Sequence, residues 1–198
     1  MSTFFLFCTA DVPASILNNF MDQSRKAYSE DITNIMCVVR SPEQTYFDDC
    51  GTELPITDFS TGFKGATSTE LRAYTQTKIA ELGARGEAGS LEPNWIAVMD
   101  ERSLRDETVS MHFGKNLSTW IQDLEDAEEP FEISGNADIE GGNIRWNWRV
   151  PFAGAQQVYN SVDCGDPPMI QLYSRPEFVG PDGVVNVDII RDKIYGNI

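Results

Sequence analysis

Trp95-Ile96-Ala97-Val98-Met99-Asp100-Glu101-Arg102 decides how the rest of the chain is read. Five apolar residues run unbroken and stop at two acids and an arginine, and the turn formers Glu92-Pro93-Asn94 precede them. A short apolar run between turn signals is the pattern of a strand covered on both faces. The spacing predicts a central strand. Its polar end falls where open α/β sheets bind their ligands, beyond the carboxyl ends of parallel strands.

Toward the N-terminus, residues 3–9 are apolar or small and read as a first strand. Asp11-Val12-Pro13 is a helix start, since proline suits a first helical turn. Ile16, Leu17, Phe20, Met21, Ala27 and Tyr28 then recur at helical spacing. Ile35-Met36-Cys37-Val38-Val39 reads as a second strand, ending at Arg40-Ser41-Pro42. A helix-bearing connection of this length predicts a parallel pair. Residues 41–66 are irregular. Thr67-Ser68-Thr69-Glu70 is a capping-box pattern, and the helix it opens turns Leu71, Tyr74, Ile79 and Leu82 to the core before Gly83.

Toward the C-terminus, residues 107–113 alternate, with Val109, Met111 and Phe113 on one face and Thr108, Ser110 and His112 on the other. The short link from Met99 predicts an antiparallel strand at a sheet edge. Asn116 or Ser118 caps a helix that buries Trp120, Ile121 and Leu124. Phe131-Glu132-Ile133 and a glycine-rich turn lead to Ile144-Arg145-Trp146-Asn147-Trp148-Arg149-Val150, the best-alternated strand of the chain. Pro151 opens a helix burying Ala155, Val158, Tyr159 and Val162. Residues 169–173 and 184–190 read as short strands. No repeat or linker divides the chain. The expectation is one α/β domain over 1–198, with a mixed, mainly parallel central sheet flanked by helices and antiparallel edge strands.

Composition narrows function. Thirty-one acidic residues against 15 basic ones give a net charge of −16, unsuited to nucleic acid or to an anionic membrane surface. No apolar run reaches the roughly 18 residues of a membrane span. The N-terminal stretch has no basic segment, its apolar run is short and Asp11 follows, so it reads as a strand rather than a signal peptide, and a cytoplasmic location is expected. Cys8, Cys37, Cys50 and Cys164 show no metal-ligand spacing and read as reduced thiols.

Signals for chemistry are few. His112 is the sole histidine, no G-x-S-x-G is present, and Asp11 stands where a phosphate loop would need glycine. Asn136-x-Asp138-x-Glu140-Gly141 has the alternating oxygen ligands of the first half of a calcium loop. These three are the candidate metal ligands, with Ca2+ the candidate ion. The loop lacks its closing glutamate, because Asn147 stands there. The strand 144–150 admits two readings. In one, its tryptophans pack the core and its arginines pair with surface acids. In the other, Trp146 and Trp148 stack on a flat ligand whose oxygens Arg145 and Arg149 bind. Asp11, Arg40, Asp100, Arg102 and His112 complete the candidate ligand-binding set.

Two segments carry a resemblance over about half the chain: Trp95–Asp100, and Arg149-Val150-Pro151 leading into a helix over 153–163, with Asp182-Gly183-Val184 near the end. They resemble an uncharacterised α/β family of bacteria and fungi. The chain is also similar to the pink chromoproteins of oyster-mushroom fruit bodies, soluble proteins that hold a small pigment without a covalent bond. That resemblance implies a fungal, non-enzymatic protein with a non-covalently bound organic chromophore. Two alternatives stand beside it. One is a metal- or carboxylate-dependent enzyme using Asp11 with Asp100. The other is an acidic interaction module that steers a basic partner. A homodimer is expected through exposed strand edges such as 107–113.

Overall fold

The computed structural model describes residues 2–28, 34–48, 50–125, 137–162 and 165–196. Its strands are β1 (Thr3–Cys8), β2 (Met36–Val39), β3 (Leu91–Met99), β4 (Thr108–Asn116), β5 (Ala137–Glu140) and β6 (Asn143–Pro151). They form one sheet in the order β2-β1-β3-β4-β6-β5. β1 pairs in parallel with β2 and β3. The β3–β4, β4–β6 and β5–β6 pairs are antiparallel. The sheet is therefore mixed, and the expected parallel majority is not found. The reason is the length of the connections after β3. Residues 100–107 and Gly141-Gly142 are too short for the dozen or more residues of a parallel crossover.

The helices are α1 (Ala14–Tyr28), α2 (Ser68–Ala84), α3 (Ser103–Asp106), α4 (Leu117–Glu125), α5 (Ala155–Val162), α6 (Pro167–Ser174) and α7 (Val187–Ile194). Among the described residues no helix is long and apolar enough to cross a membrane. The central strand reads true: Trp95, Ile96, Ala97, Val98 and Met99 are all buried. Alternation sends Trp95, Ala97 and Met99 to one face and Ile96 and Val98 to the other.

The two faces are covered unequally. On one, residues of α1, α4, α5, α6 and α7 pack against Phe4, Leu6, Trp95, Met111, Trp146 and Trp148 in one continuous core. On the other, α2 brings Leu71, Ile79 and Leu82 against Phe5, Phe7, Cys37, Val39, Ile96 and Val98, and this smaller cluster includes nothing from β4 or β6. The asymmetry follows from connectivity. β1–α1–β2 and β2–α2–β3 step across the sheet in opposite directions, so right-handed crossovers place α1 and α2 on opposite faces. α2 starts as its sequence predicts: Thr67 N–H donates to Glu70 Oε2 at 2.8 Å and Glu70 N–H to Thr67 Oγ1 at 3.3 Å.

Three local expectations change. Strand 107–113 is antiparallel, but it lies between β3 and β6 rather than at an edge, so it has no free edge for a dimer contact. Residues 169–173 belong to α6, where Pro167 and Pro168 open a helix and Ile170, Leu172 and Tyr173 face the core. Most of 184–190 belongs to α7, capped by Asn186, whose Oδ1 accepts from Ile189 N–H. Short apolar runs fit both periods, and flanking prolines and caps decide them. On α4, Trp120 is buried as expected, whereas Ile121 is 48% exposed. Phe131-Glu132-Ile133 lies outside the described residues.

Candidate functional site on the polar face of β4 and β6

β4 and β6 pair Thr108 with Pro151, Ser110 with Arg149, His112 with Asn147 and Gly114 with Arg145. Side chains alternate across a strand, so one face carries Val109, Met111, Phe113, Trp146, Trp148 and Val150. The opposite face carries Ser110, His112, Arg145, Asn147 and Arg149. α2 runs beside that polar face and contributes Arg72. Asn147, at its centre, is exposed, and among the described residues no helix crosses it.

At the end nearest the β3 carboxyl terminus, Arg149 donates to Asp100 through both terminal nitrogens, at 2.9 and 2.7 Å, and through Nε to Thr108 Oγ1. Asp100 Oδ1 also accepts from Ser103 N–H at 3.0 Å. Burial raises the Asp100 pKa, but the Arg149 and Ser103 hydrogen bonds outweigh it and hold the carboxyl below its ordinary value. Arg102 extends this network, donating to Asp106 at 2.6 Å and to the Asp182 carbonyl at 2.9 Å.

In the middle of the face sits His112, 4% exposed. Its Nδ1 lies 3.4 Å from Arg72 Nη1 and its Nε2 3.0 Å from Ser110 Oγ. Ser110 donates to Asn147 Oδ1 at 2.6 Å. Arginine has only donors, so Nδ1 must accept and Nε2 carries the proton. Burial first, then the charges of Arg72 and Arg149 against that of Asp100, push the His112 pKa from 6.5 down to about 3. The imidazole is neutral, its lone pair faces an arginine, and the Ser110 proton is directed at Asn147. Ser110 and His112 touch, but not as a nucleophile and its base.

At the other end, Arg72 and Arg145 line a narrow cleft of about 10 Å³ with Gln76, Asn94, Gly114 and Asn143. Burial, and then the Arg145 charge, lower the Arg72 pKa against the opposing pull of Glu140 and Asp138.

The sequence-predicted residues fall into separate groups. Arg145, Arg149 and His112 share the polar face, and Asp100 joins them through Arg149. Trp146 and Trp148 are 1% and 0% exposed on the opposite face. They pack against Trp120, Phe113, Trp95 and Tyr173, so they share no pocket with the arginines next to them in sequence. Asp11 and Arg40 sit at the carboxyl end of β1 and β2, where the chain itself covers the crevice. Thr61 Oγ1 donates to the Cys8 carbonyl at 2.7 Å, Gly65 N–H to the Thr9 carbonyl at 2.9 Å, and Lys64 ion-pairs with Asp11. Arg40 lies over the Phe59 ring. Asp11 and Asp100 thus have separate cationic partners, Lys64 and Arg149.

Asp138 and Glu140 stand on β5 of a tight hairpin turning at Gly141-Gly142, both with positive φ. The described part of the expected calcium loop is thus strand and hairpin turn. Among the described residues no group of three histidines, cysteines or acids is placed to hold a metal ion. Asn136 lies outside the described residues. A hollow of about 380 Å³ beside α7 is bordered by Gly154, Val187, Asp188 and Arg191. Asp188 and Arg191 pair there at 2.8 Å.

Sequence reasoning missed Arg72, Ser110 and Asn147 as site members. The alternation of β4 and β6 already put Ser110 and Asn147 beside His112 and the arginines. Nothing in the sequence places Arg72 there, since its approach depends on how α2 crosses the sheet. In fold this is an open-sheet α/β protein, one face of which the described residues cover only in part. Compared with known proteins, the chain matches no family model, no curated protein and no solved structure.

Proposed function

We propose that the chain is a non-enzymatic binding protein for a small organic molecule rich in oxygen acceptors, held over the polar face of β4 and β6. One observation carries this reading. Arg72, Arg145, Arg149, His112, Ser110 and Asn147 converge on the part of the sheet that no helix of the described residues covers, in a chain of net charge −16. Polar groups gathered on a half-covered sheet face supply directed donors, and partial burial strengthens each contact. A flat conjugated pigment is the specific form of this proposal. Guanidinium planes stack on such molecules and their donors hold oxygens. Trp146 and Trp148 would take no part in the contact. A neutral, fully engaged His112 and separately paired Asp11 and Asp100 favour binding over turnover.

The test is the native protein itself. A ligand should stay with the chain through gel filtration, appear as added mass in native mass spectrometry, absorb visible light if it is a pigment, and leave on denaturation. Asn147→Trp, which fills the exposed centre of the face, should abolish retention. A protein recovered at its bare chain mass from its native source, with no ligand regained from an extract of that source, would refute the proposal.

A further inference from the structure

We propose that the cleft between Arg72 and Arg145 is an oxyanion site, taking one oxygen of a carboxylate or phosphate group. The body of that ligand rests on the binding function proposed above; the anion site itself rests on three observations of its own.

The first is unmet hydrogen bonding. Arg72 Nε and Arg145 Nε are both buried, and neither has a hydrogen-bond partner. Buried donors are nearly always satisfied, and an orphaned pair calls for an acceptor. The second is charge. Arg72 comes from α2 and Arg145 from β6, and each feels the other's positive charge, which lowers the Arg72 pKa. The residues lining the cleft include two arginines and the amides Gln76, Asn94 and Asn143, and no acid at all. Acids outnumber bases 31 to 15 in the chain, yet here the excess is cationic. The closest carboxylate, Glu140, stands at 3.7 Å from Arg145 Nε, outside hydrogen-bond range, and is 56% exposed. Asp138 is the cross-strand neighbour of Arg145. The third is size. About 10 Å³ is room for roughly one oxygen-sized atom. A water molecule would satisfy the donors but leave two like charges facing each other; an anion answers both. One oxygen of the anionic group enters, and the rest of the ligand lies outward toward Asn147.

Gly114 lines the cleft. A Cβ there would meet the Asn94 carbonyl at 3.8 Å and Arg145 Nη1 at 3.9 Å, ordinary contact distances. Alanine therefore fits the fold and keeps both arginines while occupying the space an oxygen needs.

The experiment follows the arginine Nε–H signals of the ¹⁵N-labelled protein by NMR, at constant ionic strength, during titration with inorganic phosphate and separately with benzoate. Arg72→Gln and Arg145→Gln assign the signals. Saturable shifts of both signals are expected with either probe. Gly114→Ala should weaken binding about tenfold or more, the scale of one lost charge-assisted hydrogen bond. Glu140→Gln should tighten binding, because it removes the competing carboxylate. Absent shifts, unchanged affinity in Gly114→Ala, or saturation by chloride alone would overturn the proposal. The two proposals fail separately. Phosphate and benzoate binding without any co-purifying ligand leaves the anion site and removes the function proposed above. A native ligand held equally well by Gly114→Ala leaves that function and removes the anion site.

Discussion

Lowering the pH from 7.5 to 5 should destabilise this protein through one residue. His112 is the only histidine, and no other side chain type ordinarily titrates in the upper part of that window. In the unfolded chain it protonates near pH 6.5. In the folded chain, burial and the charges of Arg72 and Arg149 lower its pKa to about 3. The unfolded state therefore binds a proton that the folded state refuses. The resulting stability is fully present above pH 6.5 and falls as pH drops from 6.5 toward 3. Linkage sets the loss at about 2 kcal/mol by pH 5. That figure depends mainly on the unfolded value, because the folded imidazole is neutral at pH 5 for any folded pKa well below 5. Urea unfolding curves, read by tryptophan fluorescence at half-unit pH steps, give the stability profile. The His112→Gln variant is the control. It loses some stability at every pH but should lack this histidine-linked slope, while carboxylate contributions are common to both proteins. Parallel profiles for wild type and His112→Gln would refute the buried, neutral histidine and with it the tautomer argument for the site.

Other consequences are local. Asp100→Asn removes the partner of Arg149, whose side chain is 10% exposed while that of Asp100 is 40% exposed. The cost should be about 1–2 kcal/mol by chemical denaturation, between the ranges for surface and buried pairs; a loss near zero would mean the pair is solvent-screened. Gly154→Ala puts a Cβ 2.8 Å from Val187 Cγ2 and should cost about 1–3 kcal/mol, partly restored by adding Val187→Ala. Equal costs in both backgrounds would show that this contact is not the cause. Iodoacetamide at pH 7.5 should label exposed Cys50 in the native protein but not Cys8, which is buried with its pKa pushed up to about 12. Mass mapping of native labelling at Cys8 would contradict that burial.

Much of the candidate site was within reach of strand alternation. That alternation placed His112 with Ser110, and the arginines of 144–150 with Asn147. It also implied that Trp146 and Trp148 point away from those arginines, so one pocket could never have held all four. What alternation lacks is registry between strands. Only the pairing of β4 with β6 sets Ser110 against Arg149 and His112 against Asn147. The rim expected at the carboxyl ends of the parallel strands is covered by residues 61–65, a long-range contact that no local pattern encodes. The misread 169–173 and 184–190 show the limit of short apolar runs, where prolines and caps outweigh a four- or five-residue pattern.

By itself the sequence determined the helix–strand alternation of the first hundred residues, the buried strand 95–99, the capping box at Thr67 and the polar and apolar faces of 107–113 and 144–150. These are local matters of side-chain period, backbone propensity and end capping, and a single segment contains all they need. Tertiary structure alone decided which strands are neighbours, which sheet face α2 leaves open, and that Arg72 reaches His112 and the Arg145 cleft. Those depend on the order β2-β1-β3-β4-β6-β5. That order is selected by burial on both faces of the sheet at once, a sum over contacts between residues far apart in the chain.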